Sequence, residues 1–372
     1  RTPEQVELVK AMASRNKAVA YEAQVALAEF IGPVLAEVLN QAPTVSNLFQ
    51  SLQFNADDNP SIPLDLYYNI SDEDYVQVWS QSHAGGLPTS QVLPTASELK
   101  LATYSLDSAV SFDRRYAAKS RMDVISKTFT RVAQEILIKQ ETTSATLLMS
   151  SVASATTNSK KHVQANQVAG KFTLADMNDL LTLAKRINTS WIGGTPTTRV
   201  KGLTDLICSP EVVQDIRSMA YNAINSADAD NTAPTTEGLA APDELRMEMF
   251  RNAGLPEFYG VGIMEINELG TSQKFNNLFA TSASGAYANA DGSGEITFNT
   301  ATDDFILGVD RTKDSLIRAV AVDAESGSEF NLIADDQYSI RQNKIGYFGS
   351  IDEGRVVLDN RVLVGKIIGA FD

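Results

Sequence analysis

The chain has 372 residues, 43% hydrophobic and 21% charged, which suits two or three globular units with cores of their own. Its formal net charge is −15 and its pI about 4.7, so the average surface repels free nucleic acid and argues against a DNA-binding role. No uninterrupted apolar run reaches the ~18 residues of a membrane span, and a single cysteine, Cys208, excludes an internal disulfide or a multi-cysteine metal site.

Thr2-Pro3-Glu4-Gln5 predicts a helix start, with Thr2 as cap, Pro3 at the first helical position and Gln5 closing a capping box. Apolar positions continue from Val6 to Phe30. Gly32-Pro33 is expected to interrupt, leaving a second short helical piece over Val34 to Leu39. The segment reads as a draped arm rather than a core.

From Pro60 the period changes to two. Leu64, Leu66, Tyr68 and Ile70 alternate with polar residues, as do Val76 and Val78. After the stretch Ser82 to Pro94, alternation resumes at Leu99, Leu101 and Thr103 and runs through Leu106 and Val110 to Phe112. The pattern predicts a long two-stranded excursion with a loose tip. An isolated hairpin is marginal in water, so it needs a surface elsewhere, such as a neighbouring subunit. Tyr67, Tyr68, Tyr75 and Trp79 read as cross-strand packing rather than a stacking platform.

Asp113 to about Thr156 predicts one long helix. No proline lies between Pro94 and Pro196, and no glycine between Gly86 and Gly170. Met122, Ile125, Phe129, Val132 and Ile136 fall on one stripe, while Arg114, Arg115, Lys119, Arg121, Lys127, Arg131 and Lys139 make the first half basic. A helix of ~40 residues is ~60 Å long, a beam on which other elements hang.

Thr173-Leu174-Ala175-Asp176 then starts an amphipathic helix that Trp191-Ile192-Gly193-Gly194 ends. Leu203 to Cys208 reads as a buried strand. Pro210 opens a helix with Val212, Val213, Ile216 and Met219 inward. The alternation argues for a compact α/β or α+β domain. Ala223 to Pro242 and Thr281 to Gly294 are low-complexity loops. Further strands are expected at Gly260 to Ile266, Asp304 to Val309, Leu316 to Val322, Tyr338 to Ile345, Arg355 to Leu358 and Leu363 to Ile368.

Residues for catalysis are scarce. His83 and His162 read as surface histidines without a ligand-spaced partner, which leaves little for a Ser-His-Asp triad or a zinc site. Cys208 reads as a buried structural thiol. Asn289 to Glu295 lacks the alternating ligands of a calcium loop and reads as a turn. Gly260-Val-Gly262 and Gly346-Tyr-Phe-Gly349 lack phosphate-loop spacing. Forty-six carboxylates leave an acid pair for hydrolysis open. No catalytic, cofactor-binding or metal-binding residue stands out.

The order of parts, from leading arm to closing strands, resembles the major capsid proteins of tailed bacteriophages, with the Hong Kong 97-type capsid fold. The tail block from Asp335-Asp336-Gln337-Tyr338 to Lys344-Ile345-Gly346-Tyr347, then Gly349-Ser350-Ile351-Asp352-Glu353-Gly354-Arg355, looks like the carboxy-terminal block of some of these proteins, a strand, a turn and a returning strand. The resemblance implies an α+β fold with an N-terminal arm (1–50), an extended β-hairpin loop (51–112), a peripheral domain with its spine helix (113–170), an axial domain (171–329) and returning strands (330–372). It implies a structural, non-enzymatic protein of the virion, without cofactor, assembled in the host bacterial cytoplasm. Copies would form hexamers and pentamers of an icosahedral shell around double-stranded DNA, with scaffold, portal and decoration proteins as further partners and no membrane. Members often lose an N-terminal leader, with which a start at Arg1 is compatible. A Lys–Asn crosslink is known in the family, but no motif carries it to Lys100, Asn343 or Asn360. An encapsulin-like bacterial compartment shell is the first rival reading; an acidic hydrolase and a phage tail or adhesion protein are others.

Overall fold

A computed structural model describes residues 3–41, 45–55, 59–63, 98–119, 122–157, 160–188, 202–219, 247, 257–258, 260–282, 286–287, 296–322, 328–335 and 342–369. Helices α1 (Pro3–Met12) and α2 (Lys17–Gln41) precede strands β1 (Gln50–Asn55), β2 (Ser61–Pro63), β3 (Glu98–Lys100) and β4 (Tyr104–Asp113). Next come α3 (Arg114–Ala118), α4 (Met122–Ser154), β5 (Thr156–Thr157), β6 (Lys160–Lys161), β7 (Val163–Ala165), α5 (Leu174–Asn188), β8 (Asp205–Cys208) and α6 (Pro210–Met219). The chain continues with β9 (Glu257–Phe258), β10 (Val261–Glu265), α7 (Lys274–Ser282), β11 (Ala286–Tyr287) and β12 (Ile296–Thr297). It closes with β13 (Asp304–Val309), β14 (Leu316–Val322), β15 (Asn331–Asp335), β16 (Lys344–Val357) and β17 (Leu363–Ile368). The architecture is α+β.

Two compact units emerge, one of Arg1–Pro63, Glu98–Ser144 and Leu316–Val356, the other built on Ala145–Ser315 and Val357–Asp372. The first holds a sheet of order β1-β14-β16-β15, with β4 also paired to β16. β1 runs parallel to β14, and β4 runs antiparallel to β16 from Asp113 opposite Lys344 to Tyr104 opposite Glu353. Even-numbered residues of β4 turn inward, ending at buried Phe112, as a period of two requires. Ile125, Phe129, Val132 and Ile136 of α4 pack with Phe112, Phe330 and Tyr347. The Tyr347 ring meets Phe129 edge-on at 5.3 Å and stacks on Phe112 at 6.2 Å.

The leading segment is part of this core rather than draped. Val9, Met12, Leu27, Leu35 and Leu39 are buried in it, and each fully buried side chain of this size stabilises by about 1.5–3 kcal/mol. The helix break falls where no Gly or Pro marks it. The Ser14 hydroxyl accepts the Asn16 N–H, and the Asn16 side-chain oxygen accepts the Ala18 N–H, each at 3.2 Å, which starts α2 afresh. Contrary to expectation, α2 then passes through Gly32-Pro33 unbroken. A Cβ at Gly32 would lie 3.8 Å from the Phe330 carbonyl oxygen and 3.9 Å from Leu332. Close packing on β15 thus carries the helix past the one bond that Pro33 cannot donate. By length and composition Lys17–Leu39 is also long and apolar enough to cross a membrane, which a search for uninterrupted apolar runs missed. Its inward row, however, belongs to the core of the unit.

The beam is divided. Asp113 caps α3 by accepting the Arg115 N–H at 2.9 Å, and α3 ends at Lys119, so α4 starts separately at Met122. α4 still has 33 residues, ~50 Å. The tail differs too. In place of two strands around a turn, β16 is one strand of 14 residues. Its glycines make room instead of turning: a Cβ at Gly349 would enter the ring of buried Phe330, and one at Gly354 would lie 2.6 Å from the Ala102 carbonyl oxygen.

The second unit centres on a six-stranded sheet of order β7-β17-β13-β8-β10-β9. β13 and β17 are antiparallel and buried throughout. α5 and α6 face it with Met177, Leu180, Ala184 and Ile187, and with Val212, Val213 and Ile216. The predicted start of α5 is a reciprocal cap. The Asp176 carboxylate accepts the Thr173 N–H at 2.9 Å, and the Thr173 hydroxyl accepts the Asp176 N–H at 3.4 Å. Sequence periodicity found β13, β14 and β17 at their observed bounds and missed α7, β7 and β15.

Of the predicted excursion, β2 and β3 pair antiparallel, Ser61 opposite Lys100. The alternating run from Leu64, the tip from Ser82 to Pro94 with His83, and the aromatic residues Tyr67 to Trp79 lie outside the described residues. So do Trp191 to Gly194, Ala223 to Pro242, Asn289 to Glu295 and Tyr338 to Ile340.

Candidate functional site

Polar chemistry in the first unit converges on Glu353, whose side chain is fully buried. One oxygen, Oε2, accepts from Arg318 Nε at 2.9 Å, Gln140 Nε2 at 3.1 Å and Arg355 Nη2 at 3.2 Å. The other accepts the Tyr104 hydroxyl at 2.9 Å. Arg355 also donates to the Gln140 carbonyl at 2.6 Å, to Ser46 Oγ at 2.7 Å and to Ser144 Oγ, and its guanidinium lies 5.7 Å from the centre of the Phe49 ring. Glu329 approaches Arg318 at 3.9 Å and balances the second cation. Burial and the Glu353 charge push the Tyr104 phenol up to about 12, so it stays a donor. Burial also lowers the Arg355 pKa, opposed by Glu353.

The second unit buries three further groups. Lys366, inside fully buried β17, places Nζ 3.1 Å from Asp176 Oδ1 and 3.2 Å from Asp179 Oδ2. The Ser209 hydroxyl donates to Asp304 in a short bond, while Asp304 also accepts the Phe305 N–H at 2.7 Å. Burial raises the Asp304 pKa. His162 is the third, and it overturns the expectation of a surface histidine: its side chain is fully buried. Nδ1 lies 3.1 Å from the Asn360 carbonyl and 3.0 Å from the Leu363 carbonyl. Carbonyls only accept, so Nδ1 carries the proton and Nε2 accepts from the Thr157 hydroxyl at 2.9 Å. Burial lowers its pKa. β17, more than 190 residues away in sequence, buries it, so no local pattern marks it.

Cys208 is buried as expected. Burial first, then the charges of Asp304 and Glu265, push its thiol up to about 12. Asp304, which accepts from Ser209, also accepts the Phe305 N–H, and its neighbour Asp303 accepts the Asn299 N–H at 2.8 Å. Lys100 is exposed on β3. Asn343 takes a left-handed φ of 54° just before β16, and its carbonyl accepts the Arg114 N–H at 3.3 Å. Among the described residues no group of three or more His, Cys, Asp or Glu is placed to hold a metal ion. Sequence reading passed over Glu353, Arg318, Arg355 and Lys366. The signal was present: Arg318 interrupts the apolar run Leu316 to Val322, and Lys366 interrupts Leu363 to Ile368.

The exposed faces are apolar in places. Phe30, Val34 and Val38 form an outward row on α2, and Ile138 stands out from α4.

No family model and no curated protein matches the sequence. Solved structures do match. The capsid of an empty GTA particle is 10% identical, covers 88% of this chain with 90% of its own, and superposes with a TM-score of 0.50. The chain has the Hong Kong 97-type capsid fold. The capsid of cyanophage P-SCSP1u is 12% identical over 87% of this chain and 88% of its own, with a TM-score of 0.49. The holo-SrpI encapsulin of Synechococcus elongatus is 11% identical over 88% of this chain and 86% of its own, with a TM-score of 0.46. In this capsid fold the buried polar clusters tie one chain together: Glu353 joins α4, β4, β14 and β16.

Proposed function

We propose that the chain is a shell protein, the major capsid protein of a tailed phage, whose copies assemble as hexamers and pentamers around double-stranded DNA. The observation that carries this reading is the near end-to-end likeness to the GTA-particle capsid. The side chains support it: Tyr104, Cys208, His162, Asp304 and Arg355, whose pKa values are all shifted, are buried and hydrogen-bonded within the chain, and Tyr347, which burial raises, packs against Phe112 and Phe129 in the core. Groups so enclosed suit a role in holding the fold in place. In this reading residues 1–50 are the arm, 51–112 the extended loop, 113–170 the peripheral domain, 171–329 the axial domain and 330–372 the returning strands. Its place is the virion, after assembly in the host cytoplasm with scaffold, portal and decoration proteins.

Negative-stain electron microscopy of the purified chain, with absorbance at 260 and 280 nm, tests this. Icosahedral particles with excess 260 nm absorbance support a DNA-filled shell. Particles that carry protein cargo and no nucleic acid transfer the reading to a bacterial compartment shell. Turnover of a hydrolase substrate by unassembled chain, lost on one Asp or Glu substitution, overturns it.

A further inference from the structure

We propose that the outward face of α2 on one copy docks on the outward face of the first half of α4 on a neighbouring copy. The proposal rests on the shell reading and specifies one contact within it.

A chain of net charge −15 repels its own copies on average. A contact between copies therefore needs two locally complementary patches. The first is the last part of α2. Phe30, Val34 and Val38 are spaced by four residues, which puts them in one row along the helix, and they are 67%, 50% and 49% exposed. Glu29 and Glu37 run beside that row, also exposed. The patch is apolar with an acidic border.

The second patch is its chemical opposite. Lys127 and Arg131 are exposed at a spacing of four on α4, and Ile138, seven residues on, is 54% exposed on the same side. Lys139 adds a third cation at its border; Glu135 is the one carboxylate between Lys127 and Ile138, and Asp123 lies one turn before Lys127. Among the described residues no ion pair engages the side chains of Lys127, Arg131 or Lys139. The two patches match in length, ~12 Å from Phe30 to Val38 and ~16 Å from Lys127 to Ile138.

Both helices commit their opposite sides to one core: Leu35 and Leu39 from α2, Phe129 and Ile136 from α4. The outward rows therefore have no means of covering each other within one copy. Two different patches that meet across copies make a head-to-tail contact, the kind that closes into rings.

The test uses the full chain. Glu29→Lys with Glu37→Lys reverses the first patch, and Lys127→Glu with Arg131→Glu reverses the second. Each pair is expected to lose most particles in sedimentation and microscopy while keeping the parental circular dichroism spectrum. The chain with all four changes is expected to regain them. Parental assembly by either pair, or no recovery by the four-fold variant, overturns the proposal. So does a Lys127→Glu/Arg131→Glu variant that forms normal particles lacking nucleic acid, which would make that face a DNA surface. Where a charge variant misfolds, mixing a Val34→Cys chain with an Ile138→Cys chain decides. A mixed disulfide dimer supports the contact and its absence overturns it. The native Cys208 is buried and does not interfere. That mixture also separates the two readings: the mixed disulfide reports on the contact whether or not the parent chain forms icosahedral particles.

Discussion

Glu353 and Arg355 stand two residues apart on β16 and so share one face of the strand, where Arg355 Nη2 lies 3.2 Å from Glu353 Oε2 with both side chains shut away from solvent. Arg318 completes the cluster from β14. Removal of the shared anion leaves two buried guanidiniums without it. Glu353→Ala is therefore expected to destabilise the chain by about 3–5 kcal/mol in urea unfolding. Replacing all three charges by apolar side chains of similar volume is expected to cost less than the single change. A Glu353→Ala loss below about 1 kcal/mol would show that the cluster is idle.

Gly349 faces the ring of Phe330, with no room for a methyl group. Gly349→Ala is expected to cost about 1–3 kcal/mol, as over-packing does. The companion change Phe330→Leu is expected to recover part of that loss. Thermal melts of the single and double variants read this directly, and simple additivity would disprove the contact.

Burial lowers the His162 pKa, so the folded state prefers the neutral ring. The unfolded chain then binds more protons below the ordinary value near 6.5, and this contribution to stability, complete above that pH, is lost as pH falls through it towards the folded value. Asp304 acts with the opposite sign: its raised pKa gives stability below the ordinary 3.8 that is lost as pH rises through the folded value. Melting temperatures from pH 8 to pH 5 should show a fall on acidification that His162→Gln reduces. An unchanged slope in His162→Gln would remove the histidine from the account.

With its thiol pushed up to about 12 and no solvent exposure, Cys208 should resist iodoacetamide at pH 8 in the folded chain and react on denaturation. Rapid native alkylation would mean that β8 opens readily.

What could be read from sequence follows the range of the interactions involved. The β13, β14 and β17 strands were legible because each is an apolar run buried on both faces. The α5 start was legible because Thr173 and Asp176 cap it locally. Pro33 inside α2 and Gly349 inside β16 were misread, because β15 and Phe330, distant in sequence, decide what those residues do. The burial of His162 and the Glu353 cluster are equally non-local: Gln140 and Glu353 are 213 residues apart. Arg318 and Lys366, charges set inside apolar strands, were visible hints of buried partners.

The first unit takes its last stretch, Leu316–Val356, from late in the chain, and β1 finds its parallel partner β14 only there. On a ribosome, α1, α2 and the first half of α4 therefore emerge long before the strands that cover them. At ordinary rates of synthesis the delay is roughly 10–60 s. During that interval Leu27, Leu35, Phe129 and Ile136 have no finished core to enter. Until then those apolar side chains stay open to aggregation, the hazard against which holdase chaperones act.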